Sequence, residues 1–296
     1  MRWRGGRRST NVEDRRGRRV AGGGLKIGGG LGLLLLLVVL LLGGDPLQFL
    51  GALLGDGQAG GPGGAATESG PVATSPEEDE AAEMTRRLLG TVEDTWSAIF
   101  AEAGRTYRPP VLVLFSDVTR SACGFGQSAT GPFYCPPDQR IYIDLGFFRD
   151  LRRMAGIGAA EFDFAAGYVI AHEVGHHVQN LLGTSDAVRR GQAASPGDAN
   201  RLSVLLELQA DCYAGVWANR ARTEDGRPLL EPGDVEEGMR AAAAIGDDRL
   251  QRQAGRAVSP ESFTHGTSEQ RQRWLRAGLE AGDPEACDTF ADAGLR

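Results

Sequence analysis

Four histidines occur in this chain, and three of them fall within six residues. The run Tyr168–Gln179 reads YVIAHEVGHHVQ and holds His172, Glu173 and His176 in H-E-x-x-H spacing. On an α-helix, residues four apart lie one turn above each other on one face. Two imidazoles so placed can bind one Zn²⁺. Glu173 stands beside them, where a carboxylate can take a proton from a metal-activated water. The competing reading is a surface helix with idle imidazoles. His177 points about 100° away around the helix and falls outside the ligand set.

Two imidazoles do not complete a catalytic zinc site, which usually has three protein ligands and one open position. His265 is one candidate for the third ligand. Glu207 is the better one. It lies in ELQADCYAG, where Glu207 and Asp211 are four apart on one helical face. His₂Glu is a known catalytic zinc arrangement. Asp211 can then accept the free N–H of a zinc-bound imidazole, which fixes the tautomer. A solvated acidic helix edge would explain the two acids as well. Their neighbours Leu205, Leu206, Leu208, Ala210, Cys212 and Tyr213 are mostly apolar, and acids in such surroundings need partners.

The oxyanion formed in hydrolysis needs a further donor. His265 and Arg271, in HGTSEQR, are candidates. Against this, His265 could cap a helix starting near Ser268. For Arg271 a pairing with a surface acid is the favoured role. Tyr142 and the strand 141–144 could form a rail that adds a peptide backbone to a sheet, or could be only core.

These residues need elements to position them. Ser75-Pro76-Glu77-Glu78 is a helix-start signal, followed by Met84, Leu88, Val92, Trp96, Ile99 and Phe100 at helical spacing. The segments 111–115 and 141–144 read as strands, with a hairpin-like excursion between them. Residues 145–154 read as a short helix. The motif helix should run from Asp163, a plausible cap, to Leu182, with Gly183 as its stop. Ile170, Val174, Val178 and Leu181 mark its buried stripe. Residues 185–197 read as a linker. Helices are expected over 198–222, 234–245, 268–282 and 285–290.

The first part of the chain is of another kind. Residues 2–26 hold nine basic residues and two acids, while the whole chain carries −7. Residues 27–44, IGGGLGLLLLLVVLLLGG, are uncharged and just long enough to span a bilayer. Arginines before such a run predict a cytoplasmic N-terminus and an external body. An uncleaved anchor is favoured over a signal peptide, because no clear A-x-A site follows. The anchor accounts for the basic arm, so no nucleic-acid partner is expected. Residues 45–75 are rich in Gly, Ala, Ser, Thr and Pro and read as a flexible tether. The even cysteine count fits an external body with two disulfides. Cys123 and Cys135 flank a Gly-rich turn and are natural partners, leaving Cys212 with Cys287. Sequence alone permits three pairings.

HEVGHHVQ with a downstream E-x-x-A-D resembles the gluzincin zinc metallopeptidases. The body also carries SACGFGQSATGPFYCPPDQRIYIDLGFF, ELQADCYAGVWA and FTHGTSEQRQRW. With these it resembles, more narrowly, the bacterial putative neutral zinc metallopeptidase family. The resemblance covers roughly residues 19–292. It implies His172, His176 and Glu207 as ligands of Zn²⁺, and Glu173 as general base. It extends to His265 as a catalytic residue. The expected fold class is α+β: a mainly helical, zincin-like metallopeptidase ectodomain with a small β-sheet, preceded by one transmembrane helix. The expected layout is a basic cytoplasmic arm (1–26), the transmembrane helix (27–44), a flexible linker (45–75) and a zinc metallopeptidase domain (76–296). The expected function is hydrolysis of peptides or proteins by an enzyme held in the cell membrane by its single N-terminal helix, with the catalytic domain outside the cytoplasm. The alternative is a catalytically inactive envelope module that keeps the fold.

Overall fold

The computed structural model describes residues 1–17, 74–127, 131–158 and 162–294. Element order begins with a short strand, β1 (Val12–Asp14), then a long helix, α1 (Pro76–Glu102). Ser75 caps α1 by accepting from the Glu78 amide, and the Glu78 side chain accepts from the Ser75 amide in return. This satisfies two N–H groups that a helix start leaves open. Leu88, Leu89, Val92 and Trp96 form its buried face.

Strands β2 (Val111–Phe115), β3 (Val118–Ser121), β4 (Gly124–Gln127), β5 (Phe133–Cys135) and β6 (Arg140–Asp144) follow. The main sheet has the order β1-β2-β6-β5. β1 pairs parallel with β2, β2 parallel with β6, and β5 antiparallel with β6. β3 and β4 form a separate antiparallel hairpin. The Cys123–Cys135 disulfide ties that hairpin to β5. The remaining helices are α2 (Gly146–Ala155), α3 (Asp163–Leu182), α4 (Thr184–Ala194), α5 (Ala199–Arg220), α6 (Asp234–Ala244), α7 (Asp247–Gln253), α8 (Ser268–Ala281) and the single turn α9 (Thr289–Asp292).

α3 spans the predicted residues, and Ile170, Val174 and Val178 are fully buried along it. The segment read as a linker over 185–197 is mostly helix α4 instead. Its apolar stripe is thin, with Val188 the one large apolar side chain it buries, so helical periodicity is faint there. The α5–α8 contact is very close. A Cβ on Gly278 would lie 1.9 Å from the Cys212 carbonyl oxygen, and one on Gly215 would lie 2.1 Å from that of Leu275. The Cys212–Cys287 disulfide holds the C-terminal segment to α5.

The expectation of a mainly helical ectodomain behind one transmembrane helix is corrected. The layout mixes helix and sheet, and among the described residues no helix is long and apolar enough to cross a membrane. The apolar run 27–44 and the tether up to residue 73 lie outside the described residues. The described part of the basic arm, residues 1–17, packs on the body. It clusters with the body as one unit. Trp3 is buried, and β1 adds a strand to the sheet.

The reason is charge complementarity with α1. Glu93 of α1 is 3% exposed, and its carboxylate is met by Arg7 at 2.7 Å, Ser9 at 2.7 Å and Asn11 at 2.8 Å. Arg8 pairs with Glu83, and Arg7 also pairs with Asp94. The arginines thus serve the acids of α1. The Met1 amine lies 2.7 Å from Asp163 and 3.3 Å from Asp234, at the head of α3.

Candidate metal centre

His172 and His176 project from one face of α3 towards Glu207 on α5. The two helices approach closely because Gly175 lies between the imidazoles. A Cβ there would sit 3.1 Å from the Ala210 Cα, so a larger residue would push α5 away. Glu207 Oε2 lies 3.1 Å from His172 Nε2, and Glu207 Oε1 lies 3.3 Å from His176 Nε2. The two Nε2 atoms are 3.2 Å apart. Ligands about 2.0 Å from a tetrahedral zinc are separated by about 3.3 Å. The two imidazoles and the Glu207 carboxylate, one oxygen towards each ring, thus bracket a space of about that size.

Glu173 is 6% exposed, and its Oε2 is buried without a hydrogen-bond partner among the described residues. Burial raises its pKa, and the two imidazoles offset this only in part. An unpartnered buried carboxylate is costly. Its placement next to the donor triad suits a proton acceptor for a metal-activated water. The donor set and this orphaned oxygen together fit Zn²⁺.

Asp211 is fully buried and organises the site from behind. It accepts from His172 Nδ1 at 2.8 Å and from Tyr168 OH at 2.5 Å. Arg271 donates to both of its oxygens at 2.9 Å. Burial pushes the Asp211 carboxyl up, but Arg271 and His172 outweigh this and hold it at about 2. For Glu207, burial again opposes ionisation, and the two imidazoles hold it well below the usual carboxylate range. Burial works against a charged His172, yet Asp211 and Glu207 raise it to about 10. The pocket thus demands positive charge at the imidazoles, which a divalent cation on both Nε2 atoms satisfies.

Arg271 is 3% exposed, so the favoured role on a surface acid is overturned. It and Tyr168 are the functional positions the sequence reading undervalued. Tyr168 precedes His172 by four residues and so shares its helical face. Arg271 gave no such local signal, because its partner lies 60 residues away.

His265 sits at the rim of the same cleft, with its side chain 51% exposed. Its amide donates to Asp247 at 2.7 Å, and its Nδ1 lies 3.4 Å from the same carboxylate. Thr267, not His265, caps α8. His177 is outside the ligand set but is not on the surface. It is fully buried, donates from Nε2 to the Arg108 carbonyl at 2.6 Å and accepts the Tyr134 hydroxyl at Nδ1, 3.0 Å away. That pins β5 to the metal helix.

The cleft has a volume of about 500 Å³. Its walls include Phe133 and Tyr134 of β5, Phe147 of α2, Val169 of α3 and Leu206 of α5. The rail expected on Tyr142 and residues 141–144 is corrected. β6 is paired on both sides, and Tyr142 is 1% exposed. Among the described residues, β5 forms the outer edge of the sheet and borders the cleft.

Comparison with known proteins agrees with this chemistry. The profile of the family described as "Putative neutral zinc metallopeptidase" matches residues 1–290. The chain is 49% identical over 296 residues to the uncharacterized protein YpfJ of Escherichia coli K12, covering 98% of this chain and 99% of that protein. It is 45% identical over 196 residues to the uncharacterized protein Rv2575 of Mycobacterium tuberculosis H37Rv, covering 64% of this chain and 65% of that one. No solved structure matches. The expected zincin-like architecture thus gains no support from solved structures, and the fold is the mixed helix-and-sheet body described above.

Proposed function

The chain belongs to the putative neutral zinc metallopeptidase family, and from that premise we propose that its cleft hydrolyses peptide bonds. The observation that carries the reading is the triad of His172, His176 and Glu207, whose donor atoms lie within 4.8 Å of one another beside the orphaned Glu173 carboxylate. A zinc ion held by those three residues supplies Lewis-acid polarisation and a nucleophile at neutral pH.

The chain's own residues do the rest. Asp211 holds the His172 ring by its Nδ1, which leaves Nε2 as the atom that would bind the metal. Glu173 takes a proton from the attacking water and passes it to the leaving amine. His265, steadied by Asp247, stands where it can donate to the developing oxyanion. An extended peptide can pair with β5, an outer strand among the described residues, whose Phe133 and Tyr134 line the same cleft as Glu173. The apolar cleft walls suit a peptide with large apolar side chains.

Two disulfides, Cys123–Cys135 and Cys212–Cys287, support a body that works outside the cytoplasm. The arm, folded into that body, lies on the same side. The proposal thus keeps the external body and drops the cytoplasmic N-terminus.

The test is metal analysis of the full chain together with a peptide-library digest. Wild type should hold about one zinc per chain. Glu173→Gln should keep the metal and lose hydrolysis by at least ~10²-fold. Glu207→Ala should lose zinc. If zinc-loaded wild type and Glu173→Gln proved equally inert, the non-catalytic envelope module would replace the enzyme reading.

A further inference from the structure

The second imidazole ligand is oriented by a device unlike that of the first. His172 leans on a carboxylate, whereas His176 leans on a neutral amide. His176 Nδ1 lies 2.9 Å from Gln179 Oε1, one turn along α3. Gln179 is fully buried. Its Nε2 donates to the Leu206 carbonyl at 2.7 Å and to Gln209 Oε1 at 3.1 Å. Gln209, 7% exposed, donates from Nε2 to the Cys287 carbonyl at 3.0 Å.

The direction of this chain is fixed at its far end. A backbone carbonyl can only accept. The Gln209 amide nitrogen must therefore face Cys287, and its oxygen must face Gln179. Gln179 in turn has two acceptors before it, Gln209 Oε1 and the Leu206 carbonyl, and they take both of its amide hydrogens. Its own oxygen is left for His176. Nδ1 must then carry the ring proton, and Nε2 presents its lone pair towards the metal. Flipping either amide would set oxygen against oxygen in a buried site and leave polar groups unmet.

We propose that Gln179 and Gln209 are positioning residues that pass the orientation set by the Cys287 carbonyl to His176, making the C-terminal segment part of the metal centre. That segment is itself well held. Cys287 is bridged to Cys212, one turn from Gln209 on α5, and the buried Thr289 hydroxyl donates to the Leu205 carbonyl at 2.7 Å. A distant part of the chain thereby decides the tautomer of a ligand on α3. The inference rests on the zinc reading of the site.

The experiment compares the full chain with Gln179→Met, Gln209→Met and the double variant. Methionine keeps the length and removes the hydrogen bonds. The zinc dissociation constant is read by chelator competition, and the ligand-field spectrum is read with Co²⁺ in place of zinc. Gln179→Met should weaken zinc binding by about 10–100-fold and shift the Co²⁺ spectrum. Gln209→Met should weaken it by a smaller factor. The double variant should match Gln179→Met, because both residues act through one chain. Additive losses would overturn the relay, since they would mark two independent packing defects. So would a Gln209→Met affinity within twofold of wild type. If Gln179→Met fails to fold, Gln209→Met, whose side chain bonds to Gln179 and Cys287 and to no ligand, carries the test. A wild-type protein that retains no zinc would sink the metal reading itself. A wild type that binds one zinc, with both variants binding equally well, would sink only the relay.

Discussion

At the scale of single residues, the site is held by a buried charge cluster. Asp211 carries His172, Tyr168 and both arms of Arg271 with no exposure to solvent. Breaking one side of a buried pair costs more than the pair contributes, because the other charge remains. Arg271→Met should therefore destabilise the protein by about 3–5 kcal/mol, read by urea denaturation of the metal-free chain. Arg271→Lys should not restore it, since an ammonium cannot span both carboxylate oxygens. A loss under ~1 kcal/mol would mean that Asp211 finds other partners.

At the scale of elements, helix spacing and helix entry decide whether the ligands meet. Gly175→Ala places a methyl 3.1 Å from the Ala210 Cα, tight but within reach of a small shift. The better helix propensity of alanine offsets part of the strain by up to ~1 kcal/mol. Zinc affinity should fall clearly while the unfolding midpoint moves little. Gly278→Ala has no such escape, as the methyl would collide with the Cys212 carbonyl at 1.9 Å. Its midpoint should fall well below that of Gly175→Ala in a side-by-side melt.

The entry to α3 adds a pH dependence. Glu237, 2% exposed, accepts from the Ala165 amide at 2.7 Å. Burial, reinforced by Asp163 and Asp234, pushes its carboxyl up to about 8 despite that hydrogen bond. The folded form then binds more protons than the unfolded one between pH 4.5 and about 8. Stability must fall as pH rises through that window, by at most about 1.4 kcal/mol per pH unit from this group. Glu237→Gln should flatten the fall, and denaturation curves at pH 5 and pH 8 would show it. An unchanged difference between the two would remove Glu237 as its source.

At the scale of the whole molecule, the arm constrains the chain's relation to any membrane. Arg16 donates to the Glu78 carbonyl at 2.9 Å and to Asp79 at 3.2 Å, and Thr74 donates to the same Asp79 carboxylate at 2.8 Å. Arg16 and Thr74 thus both meet the first turn of α1. Docking of residues 1–17 on the body predicts that the two share a compartment. The described residues contain no free cysteine, so single cysteines can be placed as reporters. Thr10→Cys in the arm and Ser262→Cys in the body, both exposed, should be labelled by an impermeant maleimide on the same side of the cell membrane. Labelling on opposite sides would show that the arm does not dock as described.

The sequence by itself determined the chemistry. H-E-x-x-H spacing sets two imidazoles and a carboxylate on one helical turn, and that geometry follows from the α-helix alone. Glu207 and Asp211 were legible for the same reason, as two acids on one face of an apolar helix. The bounds of α3 and β2 were likewise written in local signals. Only the tertiary structure decided the partners of long reach. Arg271 joins Asp211 because Gly215 and Gly278 let two helices touch. The basic arm reads only as a run of charge until the acids of α1 are set against it. The sheet edge beside the cleft is β5 and not β6, because a strand's open side depends on which neighbours pair with it. Periodicity and spacing record what a residue does within its own element. They carry no trace of which distant element will complete it.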